Sequence, residues 1–291
     1  MKHFLTVVFL IFSLGAGAQD TARIALKPAL SAYSRGALDS AFALVNAVIL
    51  DHPGLEPAYK LRGDIHQRKL RYEEAMEDYD NAENLSRTDP RLYVSRSALR
   101  IAEGNNKGAL RDAEKAIELD ATDADAWYNR AWALYLNDEG DAALKSVKTA
   151  SELRPGFPEA LYLSGVIKGE QYNEKEGIAE IAEALRLKPN IPGGLMSKAV
   201  LQYEGKQYEE AIATFSEVIA TDTTELANAY YYRADSHYEM GDKEKACADF
   251  NRSMRLGDKD ASFIKKNYCD TDAKRIPKKP KRTRRKTTIQ F

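Results

Sequence analysis

Apolar and small residues return along this chain at steps of three and four, and short polar breaks interrupt them. Trp127, Ala131 and Leu134 make one such stripe. Asn137 to Asp141 (NDEGD) breaks it, Ala143, Val147, Ala150 and Leu153 make the next, and Arg154-Pro155-Gly156 ends that one. Steps of three and four put side chains on one face of an α-helix. A polar turn carrying one glycine joins two such helices into an antiparallel pair.

A longer period lies over this one. Small residues recur every 34 positions at Ala29, Gly63, Ser97, Ala131, Gly165 and Ala199, and after a one-residue slip at Ala234. Twelve residues after each stands a second small residue: Ala41, Ala75, Ala109, Ala143, Gly177, Ala211 and Ala246. A repeated pair of small positions lets two helices approach closely, and repetition stacks the pairs side by side. The expected fold is all-α. Units start near residues 22, 56, 90, 124, 158, 192 and 227, with a cap helix over 261–269. Two departures stand out. Pro28 implies a short first helix starting at that proline. Pro192-Gly193-Gly194 weakens the start of the sixth unit and reads either as a flexible joint between a five-unit and a two-unit block or as a loose loop.

The unit from Ala124 supplies Trp127, Ala131, Ala143, Val147, Ala150 and Pro155, and the unit from Ala227 supplies Tyr230, Ala234, Ala246, Phe250 and Ser253. This arrangement of large, small and aromatic positions resembles the tetratricopeptide repeat (TPR). The resemblance implies a right-handed α-solenoid of about seven helix pairs over 22–269, and binding rather than catalysis. It also implies that the first helix of each unit lines a concave groove. Carried onto this chain, the groove positions include Tyr128, Trp132, Tyr135, Tyr162, Met196, Tyr203, Tyr231 and Tyr238. Bare Tyr and Trp side chains anchor partners well, with Trp132 first among them. The same rings could instead pack on neighbouring helices and tighten the array. The carboxylate clamp of TPR chaperone adaptors is not expected, because Lys60 would be accompanied by Asp64, Ser95, Asp125 and Asn129, and two acids repel a carboxylate.

Charge changes the picture at the ends. Phe4 to Leu14 is an apolar run followed by Gly15-Ala16-Gly17-Ala18, the layout of a cleavable secretory signal over residues 1–18. The expected location is therefore exported, periplasmic or outer-membrane-associated, and no later segment is apolar enough to cross a membrane. Residues Lys274 to Phe291 carry nine Lys or Arg and no acid, which leaves 33 basic against 44 acidic residues from Gln19 to Ala273. Residues 270–291 are expected to be a disordered basic tail. That tail could dock on an acidic partner or anionic envelope surface, solubilise the protein, or fold back on the acidic body. Nucleic acid is the least favoured partner, since it conflicts with the signal.

Cys247 and Cys269 lie on helices that are neighbours in a TPR array. They could form a disulfide stapling the cap to the last repeat, or remain two buried thiols. The pattern also resembles secreted TPR proteins of Gram-negative bacteria, which close with a Cys in the last repeat and another in the cap helix. No zinc spacing, phosphate loop or nucleophile elbow is visible, so no cofactor, metal or enzyme activity is expected. The expected function is a scaffold that binds a partner peptide or helix in an aromatic concave groove, within a cell-envelope complex. The alternative is a luminal or periplasmic co-chaperone that holds unfolded chains.

Overall fold

The computed structural model describes residues 20–222 and 224–280. The expected signal segment and the tail beyond residue 280 lie outside them. Seven helix pairs follow one another: α1 (20–34) with α2 (Leu38–Asp51), α3 (Glu56–Arg68) with α4 (Tyr72–Leu85), and α5 (Pro90–Ala102) with α6 (Asn106–Leu119). Then come α7 (Ala124–Leu136) with α8 (Gly140–Leu153), α9 (Pro158–Glu170) with α10 (Glu174–Leu187), α11 (Gly194–Glu204) with α12 (Tyr208–Thr221), and α13 (Leu226–Glu239) with α14 (Lys243–Arg255). A short α15 (Lys259–Ile264) runs into a π-helical turn, Lys265–Cys269. No strand occurs among the described residues. The chain divides into two compact units, one ending at Ala133 and the other beginning at Leu134.

The small positions do what close packing asks of them. Ala29, Ala41, Ala75, Ser97, Ala109, Ala199, Ala211, Ala234 and Ala246 are all fully buried. In the pair α5–α6 the small residue also bonds, Ser97 Oγ donating to Ala109 O at 2.8 Å. Large apolar side chains fill the space around them. Leu26, Val45 and Ile65 do so in the first unit, and Phe215 and Phe250 in the second. Each such side chain stabilises the fold by about 1.5–3 kcal/mol relative to exposure. Prolines start α5 and α9, where the missing N–H costs nothing. Asn105, Asn173, Asp242 and Asp258 accept from backbone N–H groups at the starts of α6, α10, α14 and α15.

The turn inside each pair keeps a hidden period. Gly36, Leu70, Gly104, Asp138, Tyr172, Lys206 and Gly241 all have φ between 57° and 83°. Each closes the first helix of its pair in a left-handed conformation. Glycine adopts it freely, whereas the other residue types pay about 1–2 kcal/mol.

A second ladder was not read from the sequence. Arg62 donates to both oxygens of Asp78 at 2.8 and 2.6 Å, and to Asn46 at 2.9 Å. Arg96 donates to both oxygens of Asp112 at 2.9 and 3.0 Å, and to Asp80 and Glu83 at 2.9 and 2.7 Å. Arg233 repeats the arrangement with Asp249 at 2.7 and 2.9 Å, and with Ser216 at 2.9 Å. Each arginine thus grips the second helix of its own pair and reaches back to the second helix of the pair before. The planar guanidinium suits this task, because it offers donors in a fork.

Two sequence expectations need correction. The first helix does not begin at Pro28; the chain is helical from residue 20 to 34. Burial of Ala22 and Leu26 with Ala29 holds the turns upstream of the proline. Ile24, whose carbonyl loses its usual donor, is exposed. Nor do the glycines before α11 separate two blocks. Gly193 caps α11 at φ 69°, and α9 to α12 lie in one compact unit. Leu201 on α11 packs so closely over Gly169 and Gly177 that a Cβ on either would meet it at 3.0 Å or less.

Glu56 opens α3, and its Oε1 is buried with no hydrogen-bond partner among the described residues. Burial, then Asp89, pushes its carboxyl from 4.5 up to about 7. A raised carboxyl contributes stability below its unfolded value and loses it as pH climbs through the folded one. Glu56→Gln should therefore melt close to the unaltered chain at pH 5 and higher than it at pH 8. Melting temperatures at the two pH values check this.

Candidate functional site

The inner-face positions are not bare. Trp132 is 1% exposed and Tyr162 is 0% exposed, and Tyr128, Tyr135 and Tyr231 are likewise buried. The open aromatic trough expected along these residues is absent there, and Trp132 is a core residue. Tyr128 meets Trp132 edge-on, with ring centroids 6.5 Å apart. Tyr231 meets Phe250 edge-on at 5.4 Å. Only Met196, Tyr203 and Tyr238 keep part of their surface in solvent.

Three of the hydroxyls reach the next first helix. Tyr135 donates to Glu170 at 2.6 Å, 35 residues on, and Tyr162 bonds Ser197 at 3.0 Å, again 35 residues on. Tyr203 donates to Asp235. Each ring lies across the seam to the next first helix, with its polar end satisfied there, so the tyrosines stitch α7 to α9, α9 to α11 and α11 to α13. The signal was in the sequence as a polar residue standing 32 or 35 places after each tyrosine. The other end of the array is also internally engaged. Lys60 pairs with Asp64 at 2.6 Å, and Arg91 pairs with Asp123 and Asp125 at 2.8 and 3.1 Å.

Tyr238 is the last rung among the described residues, and no further helix pair follows its own there. Its hydroxyl accepts instead from the backbone N of Ile276, at 3.3 Å. Residues 270–280, expected to be part of a disordered tail, lie against the last pairs. Lys243 fixes the start of this strap by donating to Thr271 O and Ala273 O at 2.8 and 3.0 Å. Ile276 is buried among Tyr231, Phe250, Ile264 and Tyr268. Three residues later Lys279 Nζ lies 2.6 Å from Asp235 Oδ1, 2.7 Å from Glu239 Oε1 and 5.3 Å from the centroid of the Tyr238 ring. Composition pointed to disorder because it weighs charge. It does not register one isoleucine with a socket and one lysine with two carboxylates.

Electrostatics tie this site together. Asp235 is 2% exposed, and burial raises its carboxyl against the opposing pull of Lys279 and Tyr203. Burial works against the Lys279 charge, but Asp235 and Glu239 outweigh it and hold the ammonium above its ordinary range. Burial, then Asp235, also raises the Tyr203 hydroxyl, which stays protonated as a donor. Two carboxylates, an aromatic face and a hydroxyl around one point make a receptor for an ammonium group. Among the described residues no group of three His, Cys, Asp or Glu is placed to hold a metal ion.

Family models described as tetratricopeptide repeat match residues 100–166, and again residues 195–222 and 228–256. The chain is built of tetratricopeptide repeats. No curated protein sequence matches it. Among solved structures, a TPR protein from Parabacteroides merdae is similar at a TM-score of 0.59 and 18% identity, over 82% of this chain and 94% of that one. PilW, a widely conserved type IV pilus biogenesis factor, is similar at 0.64 and 14% identity, over 72% and 97%. YrrB, a TPR protein with an unusual peptide-binding site, is similar at 0.52 and 18% identity, over 62% and 92%. Likeness at these identities speaks to the TPR fold alone.

Beside the strap, Cys247 on α14 and Cys269 at the end of the π-helical turn form a disulfide, with Cα atoms 5.5 Å apart and a sequence separation of 22. Closing a loop of that length removes unfolded-state entropy worth about 3 kcal/mol. Replacing both cysteines by serine should lower the stability of the last TPR pair by about that amount. Urea unfolding followed at α13 and α14 by hydrogen exchange measures it.

Proposed function

We propose that this TPR chain is a protein-interaction scaffold that seats a non-helical partner segment on the inner face of α11 and α13. One observation carries this reading. That face already holds such a segment, residues 274–280, through a buried Ile276 and an ion-paired Lys279. The peptide-binding description of YrrB supports the same use of the fold. Burial of Tyr128, Trp132, Tyr135 and Tyr162 removes the apolar wall that a holder of unfolded chains would offer, and so favours the specific scaffold.

The setting we propose is an envelope complex. The signal-like start, the Cys247–Cys269 disulfide, which persists in oxidising compartments, and the pilus-biogenesis description of PilW support it. No helix among the described residues is long and apolar enough to cross a membrane.

The test uses the full chain carrying Lys279→Ala, with a labelled peptide KRIPKKPK copying residues 274–281. Saturable binding is expected, and it should be lost when Asp235→Asn is added. Absence of binding to the Lys279→Ala chain would overturn the reading.

A further inference from the structure

We propose that Asp235, Glu239, Tyr203 and Tyr238 form a recognition site for a lysine in a non-helical partner segment, and that residues 274–280 are its displaceable internal occupant. The inference rests on the inner-face reading above and adds both the ligand chemistry and its control.

The geometry of the site is specific for an ammonium. Asp235 and Glu239 stand four residues apart on α13, on one side of the helix, and both reach Lys279 Nζ within 2.7 Å. Tyr203 comes from α11, its hydroxyl engaging Asp235 and lying 3.5 Å from the same Nζ. The Tyr238 ring closes a further side. The ammonium thus meets two anions, a hydroxyl and a π face, supplied by two helices. A point charge with three donors fits this better than a planar guanidinium.

A second contact gives register. Ile276 is buried as part of the apolar cluster that α13, α14 and α15 build around Tyr231, Phe250 and Ile264, and its backbone N reaches Tyr238. The segment turns at Lys278, φ 48°. Recognition therefore reads an apolar residue and a lysine three places later, across a turn. Pro277 and Pro280 flank that lysine and exclude a helix.

The occupant is tethered. The disulfide holds Cys269 to α14, ten residues before Lys279, so a free segment competes with one presented at millimolar effective concentration, as short linkers give. A site so filled binds an external ligand only in the fraction of molecules in which the strap is open. The strap thereby excludes weak basic ligands and yields to a partner that offers the same lysine along with contacts elsewhere.

The experiment compares full-length unaltered chain with Lys279→Ala, using the same KRIPKKPK peptide and a second peptide with its lysine at the 279 position changed to alanine. Circular dichroism confirms that each variant is folded. The Lys279→Ala chain should bind the first peptide at least about tenfold more tightly than the unaltered chain does. The second peptide should bind neither chain. Equal affinity of the two chains would overturn the internal occupant while leaving the inner-face reading intact. Equal binding of both peptides would overturn lysine recognition. A dimer of the unaltered chain in light scattering, lost in Lys279→Ala, would also overturn the proposal, because the strap would then fill a second copy's site.

Discussion

Arg96→Met should destabilise the first unit by about 3–4 kcal/mol, more than loss of any exposed ion pair. Arg96 and Asp112 are each about 5% exposed at the side chain, and their two bonds join α5 to α6 while Asp80 and Glu83 join α5 to α4. Methionine keeps the aliphatic stem and removes the fork. Asp112 then retains only Arg100, at 2.6 Å, against a burial that already raises its carboxyl. A buried charge left without its main partner costs more than the pair ever contributed. Arg96→Met with Asp112→Leu should therefore recover most of the loss, since an apolar pair of similar volume avoids the desolvation cost. Urea unfolding of both variants measures this. An equal loss in the double variant would contradict it.

Gly165→Val should cost about 3 kcal/mol by overpacking α9 against α10. A Cβ at Gly165 would stand 2.7 Å from Ile181 Cγ1, 2.8 Å from Gly177 O and 3.1 Å from Ile181 N. Two of those three atoms are backbone and cannot move without separating the helices. Gly177 faces the same constraint, since a Cβ there would lie 2.6 Å from Gly165 O. Trimming Ile181 to alanine should accordingly rescue only part of the loss. Thermal melts of Gly165→Val, with and without Ile181→Ala, check both statements.

The helix pairs were legible because their signal is steric and local. The small residues at Gly165 and Gly177 must be small wherever the helices cross, so they recur at a fixed spacing. The left-handed turn was less legible. Its requirement is conformational, and Leu70, Asp138, Tyr172 and Lys206 meet it at a cost without sharing a side-chain type. The Arg62, Arg96 and Arg233 ladder shows a 34-residue step in its first two members, with an aspartate 16 residues after each. Charged residues are so common on helices that the step did not stand out.

The inner face was legible by position and not by exposure. The resemblance to the TPR placed Tyr135, Tyr162, Tyr203 and Tyr238 on one side of successive first helices. Whether such rings are bare depends on what lies 32 to 38 residues further on, and here Glu170, Ser197, Asp235 and Ile276 complete them. The strap was hidden for a related reason. Its charge count described a solvated tail, whereas its placement turns on Ile276 and Lys279 alone.

Zero-length carbodiimide coupling of the full-length monomer, read by mass spectrometry, puts the strap itself on trial. Lys279 should couple within the chain to Glu239 or Asp235 as readily as Lys168 couples to Glu180, a pair also 2.7 Å apart. Coupling of Lys168 to Glu180 with none from Lys279 to either acid would show the inner face of α11 and α13 empty, and the proposed seat would fall with it.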